Sequence, residues 1–186
     1  MPHLLAGPAA EPLTPADLKA FLRVTHDAED GLLALLITTA RQMVESAAGR
    51  ILLRQSWRFV FDSWPAAGLL VPALAPVEAI LAARLRHADG GESALAPDLF
   101  TLRGDRAPAL IAFDPPRMPR PDRALGGIEL DLALGYGAAA AAVPADLVQA
   151  VRLFAAHLYE RRDEAGGDAL PSGVAALLAP YARVRL

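Results

Sequence analysis

Apolar positions along this 186-residue chain change their spacing twice. Near the start they recur as on a helix. Thr14, Pro15 and Asp17 form an N-terminus signature: a cap hydroxyl, a proline whose missing N–H is no loss in the first turn, and a carboxylate beside the positive end of the helix dipole. Leu18, Phe21 and Leu22 then share one face. Asp27, Glu29 and Asp30 open a second helix, in which Leu32, Leu36, Ala40, Met43 and Ala47 keep helical spacing until Gly49 closes it. The two are expected to form a helical hairpin.

In ILLRQSWRFVFDSW the period falls to two: Trp57, Phe59 and Phe61 alternate with Ser56, Arg58 and Val60, as on a strand. The turns Asp89-Gly90-Gly91 and Gly104-Asp105 separate the apolar segments VEAILAARLRH, LFTL and ALIAF. PPRMPRPDR reads as a loop and GGIELDLALGYG as a last strand. After Pro144 the helical period returns, with Leu147, Val148, Val151, Phe154, Ala155 and Leu158 on one stripe that ends near Arg161 and Arg162. Gly173 to Ala179 reads as a short helix cut off by Pro180.

The expected fold class is therefore α+β: a mostly antiparallel helical core of two N-terminal helices, one long C-terminal helix and a short terminal helix, with a β-rich insertion between the second and third major helices. The expected divisions are a flexible N-terminus over residues 1–12, the helical core over 13–50 and 144–170, the β-rich insertion over 51–135 and a C-terminal segment over 171–186. No internal repeat is visible.

Composition narrows the chemistry. Hydrophobic residues at 54% against 21% charged indicate a packed protein rather than a disordered one. Without cysteine there is no disulfide framework, thiolate metal site or cysteine nucleophile. A net charge of −3 offers no bulk attraction to nucleic acid or anionic membranes. Pro2, Pro8 and Pro12 and the lack of a basic opening make the N-terminus a poor secretory signal, and the longest apolar runs are too short to span a bilayer.

Each local motif loses to a plainer reading. Gly135-Tyr136-Gly137-Ala138-Ala139-Ala140 fits the G-x-G-x-x-A dinucleotide pattern, but the helix begins only after Pro144 and no acidic residue follows at the required distance. His157 and Glu160 have metal-ligand spacing, yet His3, His26 and His87 share no ligand pattern with them. Ser46, Ser56, Ser63, Ser93 and Ser172 lie outside any nucleophile elbow. No catalytic residue, cofactor or metal is expected. The rival reading is a small soluble enzyme with a carboxylate site in the β-rich region, from Asp62, Asp98 and Asp114. Arg117, Arg120 and Arg123, with Met118 among them, could touch phosphate, stay solvated, or reach a neighbouring subunit as an inter-subunit loop.

Three blocks in order carry a resemblance over about residues 13–186: LTPADLKAFLRVTHDAEDGLLALLITTARQMVESAAGRILLRQSWRFVFDSWP, then GYGAAAAAVPADLVQAVRLFAAHLYERRD, then LPSGVAALLAPYARVRL. In this arrangement the chain resembles the head-tail connector, or adaptor, proteins of tailed bacteriophages, found also in prophages and gene transfer agents. The resemblance implies a structural protein of the particle neck, assembled in the bacterial cytoplasm. It would form a homo-oligomeric ring, a dodecamer, between the portal and the stopper, head-closure or tail proteins, around a channel that double-stranded DNA crosses without sequence-specific binding. No membrane is involved.

Behind Pro180, exposed aromatic and branched residues would be a liability unless something covers them. Taken with the resemblance, this makes residues 171–186 a portal-docking segment, with Leu177, Leu178, Tyr181, Val184 and Leu186 as apolar anchors and Arg183 and Arg185 facing acidic or solvated positions. The alternation allows strand addition to a partner edge. In the alternative, Tyr181 and Leu186 fold back on the long helix.

Overall fold

The computed structural model describes residues 2–104, 108–161 and 170–181. It divides into two compact units, residues 1–8 with 54–136 and residues 9–53 with 137–186. Together the described residues form four α-helices and two antiparallel sheets holding eight strands. This overturns the expectation of a mostly helical core with one long C-terminal helix and a β-rich insertion. The sheets form a unit of their own, and their first strand comes from residues ahead of every helix. Strands of two to four residues are too short to show a period, and the pairing that stabilises them is remote in sequence.

In the first unit, β1 (His3–Ala6), β2 (Gln55–Phe61), β4 (Val77–Arg86), β5 (Glu92–Ala94) and β8 (Ile128–Leu134) form a sheet ordered β1-β2-β8-β4-β5. The N-terminal residues expected to be flexible thus supply an edge strand, pairing His3 with Arg58 and Leu4 with Trp57. A second sheet, ordered β3-β7-β6, is built from Leu69–Leu70, Leu110–Phe113 and Phe100–Arg103. β8 is the central strand: Ile128, Leu130, Leu132 and Leu134 all have zero exposure. Two register shifts in β4, between Val77 and Ala79 and between Ile80 and Ala82, account for its broken alternation.

The second unit holds α1 (Pro15–Leu22), α2 (Asp30–Ala48), α3 (Ala145–Glu160) and α4 (Ser172–Leu178). None of these is long and apolar enough to cross a membrane. α1 starts with a capping box: the Asp17 amide donates to the Thr14 hydroxyl at 3.1 Å, and the Thr14 amide donates to the Asp17 carboxylate at 2.9 Å. α3 buries Leu147, Val151, Phe154 and Ala155 from its expected stripe, together with Ala150 and Ala156.

α2 sits differently from its expectation. Its buried stripe is Leu33, Ile37, Ala40, Val44 and Ala48, while Leu32, Leu36, Met43 and Ala47 are exposed or half-buried. Only Ala40 belongs to both. The helix is apolar around most of its circumference, so spacing alone offered two stripes and could not choose between them.

Arg41 and Glu45 lie on the buried side, 5% and 7% exposed. The Arg41 guanidinium donates to Glu45 at 2.7 Å and to Glu11 at 2.7 and 3.3 Å, and Glu45 also accepts the Leu52 amide at 2.8 Å. Burial opposes the guanidinium charge, but Glu11 and Glu45 outweigh it and hold the Arg41 pKa above its ordinary value. The cluster fixes the segments before α1 and after α2 onto one helix.

Candidate functional site

The C-terminal segment expected to dock begins with Pro171, whose fixed φ suits the entry to α4. Val174 and Leu178, one turn apart, are 0% and 5% exposed, and α4 packs chiefly on α3. Beyond it, Ala179–Tyr181 forms a 3-10 turn that brings the Tyr181 hydroxyl within 2.8 Å of both Asp146 oxygens at the start of α3. Leu177 is half-buried. Of the expected anchors, then, Leu178 and Tyr181 already have partners in their own unit, as the fold-back alternative required of Tyr181. Arg183, Val184, Arg185 and Leu186 lie outside the described residues. Sequence could not reveal the Tyr181–Asp146 contact, which joins positions 35 apart.

The proline-rich loop is pinned from below. Met118 is 7% exposed and so anchors the loop in its own unit. Trp64 donates its indole N–H to the Pro119 carbonyl at 3.0 Å, and its ring lies 5.2 Å from that of Phe113 and 6.0 Å from that of Phe100. Arg117 is exposed and 4.0 Å from Asp98. Arg120 and Arg123 are exposed, pair with none of the described residues, and line an open cleft with Asp62 and Trp64. Leu125, at 71% exposure, follows them.

Among the carboxylates of the rival reading, Asp62 has local work. Asp62 accepts the Gly126 amide at 2.7 Å, and Asp114 is exposed ahead of the short turn Pro115–Arg117. The glycines Gly135 and Gly137 follow β8 and precede a 3-10 turn, so no helix N-terminus meets them. His157 stacks near Phe154, centroids 6.3 Å apart. Among the described residues no three His, Asp or Glu side chains gather as a metal site would need.

One cluster escaped the sequence reading. On the face of the five-stranded sheet opposite Leu130 and Leu132, Arg58, Arg84 and Arg86 interleave with Glu92, Glu129 and Asp131. Arg58 grips Asp131 through two hydrogen bonds at 2.7 and 2.9 Å, and Arg84 reaches the same carboxylate at 3.0 Å. The signal was present as i, i+2 pairs of like charge, Arg84 with Arg86 and Glu129 with Asp131, which alternation puts on one face. The Arg58 hydrogen bond holds the Asp131 carboxyl below its ordinary value of 3.8 against the opposing effect of burial, with the Arg58 and Arg84 charges assisting.

A lowered carboxylate pKa contributes stability that is present above the unfolded value and lost as the pH falls through the folded one. Asp131→Asn is expected to cost about 1–3 kcal/mol at neutral pH. The deficit relative to the parent shrinks as the pH drops below 3.8, which urea unfolding followed by tryptophan fluorescence would measure.

No family model and no curated protein matches the chain. Solved structures do. A chain in the neck of an empty gene transfer agent particle, computed with C6 symmetry, superposes with a TM-score of 0.87 at 29% identity. A chain in the virion of a native gene transfer agent particle gives 0.85 at 30%, and one in the neck of the native particle computed with C12 symmetry gives 0.79 at 30%. Each match covers 100% of this chain and 97% of the other. With this agreement in fold and sequence over the full length, the protein belongs to the head-tail connector family of tailed bacteriophages and gene transfer agents.

Proposed function

We propose that this protein is a structural component of the neck of a phage-like particle, where copies of it form a closed ring, a dodecamer, joining the portal to the stopper or tail proteins around the DNA channel. The full-length likeness to chains from gene transfer agent necks carries this reading. A cyclic ring repeats one heterologous contact, two different patches on each copy, until rotation closes it. The net charge of −3 suits a channel wall, since cationic contacts to phosphate would grip passing DNA.

Within this reading residues 171–186 attach the ring to the portal. Val174, Leu178 and Tyr181 root the segment on α3, so the docking contacts are assigned to Arg183, Val184, Arg185 and Leu186, with the half-buried Leu177 beside them. Co-purification with portal tests this. Deleting residues 171–186 would also strip Val174 and Leu178 from the helical unit, so the cleaner variant ends at Tyr181 and keeps both in place. The full chain is expected to retain portal and the shortened one to lose it; equal retention by both would remove the docking claim.

A further inference from the structure

The exposed side of α2 is built the wrong way round for a helix facing water. A solvent-facing helix ordinarily turns its apolar stripe inward and its charges outward. Here the two ionic residues beyond the first turn, Arg41 and Glu45, point inward and are spent on Glu11 and the Leu52 amide. Outward point Leu32, Leu35, Thr39, Gln42, Met43 and Ser46, all exposed or half-buried, with Leu35 at 62% and Met43 at 42%. That stripe holds no charge from one end to the other. The stripe mixes Leu32, Leu35 and Met43 with the uncharged Thr39, Gln42 and Ser46, and depletion of charge with retention of Met marks the centre of a protein interface.

We infer that this stripe is one of the two patches through which each copy of the chain meets the next in the ring, an inference that rests on the ring reading above. A second copy is the occupant a ring supplies, and the matching chains come from necks computed with C6 and C12 symmetry. Nucleic acid gains nothing from a surface without a cation. The 19 residues of α2 make a helix about 28 Å long and roughly 10 Å across, offering roughly 280 Å². A stable pairwise interface takes about 800 Å² from each partner. The stripe therefore supplies about a third of one such patch, and other residues of the chain complete it.

The test places a photo-crosslinking residue at Met43 of the full chain in assembled particles, with the same residue at Asp89 in the exposed Asp89-Gly90-Gly91 turn as comparison. Irradiation is expected to give adducts at multiples of the 19.6 kDa chain from Met43 and none from Asp89. An adduct to a different protein, or no adduct although the chain is present as a ring, would overturn the assignment of this face while leaving the ring intact. Absence of any ring in the particles would instead overturn the underlying reading. A second variant, Leu35→Glu with Met43→Glu, changes only exposed positions: its melting temperature is expected to match the parent while ring occupancy falls about tenfold or more, the effect of roughly 1.4 kcal/mol per contact. Unchanged occupancy would contradict the proposal.

Discussion

Replacing Arg41 with alanine is expected to destabilise the helical unit by about 3–5 kcal/mol, the range for removing one partner of a buried ion pair. The loss exceeds that of a surface salt bridge, about 0–1 kcal/mol, because of what stays behind. Glu45, 7% exposed, keeps the Leu52 amide but loses its countercharge, and Glu11 loses two hydrogen bonds. A buried carboxylate that has lost its countercharge is driven to take up a proton or to open the structure around it. Exchanging both Arg41 and Glu45 for apolar residues removes that charge and is expected to restore part of the loss, although the Leu52 amide then lacks its acceptor. Helical ellipticity is the suitable signal, since both tryptophans, Trp57 and Trp64, lie in the sheet unit. A cost below about 1 kcal/mol would mean that the pair is solvated and fixes nothing.

The second large effect is expected at Leu132, at the middle of the central strand β8 and without exposure. Strands β2 and β4 flank β8, with Leu132 paired to Trp57 on one side and Ile80 on the other. Leu132→Ala leaves a cavity that paired strands on both sides cannot collapse to fill, and such substitutions cost about 2–5 kcal/mol. Tryptophan fluorescence reports it directly through the neighbouring Trp57. A shift near zero would place Leu132 outside a close-packed core.

What the sequence disclosed follows the range of the forces involved. The start of α1 was legible because the Thr14 and Asp17 exchange of hydrogen bonds spans three residues. The α3 stripe was legible because that helix has one apolar side. α2 was rotated from its expected stripe because two apolar sides compete, and the residues that break the tie, Arg41 and Glu45, look like surface ions until Glu11 and Leu52 are brought to them. β1 could not be found in His3–Ala6, whose pairing partner begins about fifty residues later. Likewise Arg58 and Asp131, 73 positions apart, meet only once β2 and β8 pair. In the arginine loop, PPRMPRPDR gave no sign that Met118 would be drawn inward while Arg120 and Arg123 stayed out.

The organising claim is that copies of this chain encircle the particle neck. An epitope inserted at the exposed Asp89-Gly90-Gly91 turn lets antibody-labelled particles be imaged and averaged. The account predicts label in a closed ring of twelve positions between head and tail, in keeping with the C12 symmetry of the matching neck. Label at a single position, or away from the neck, would contradict it.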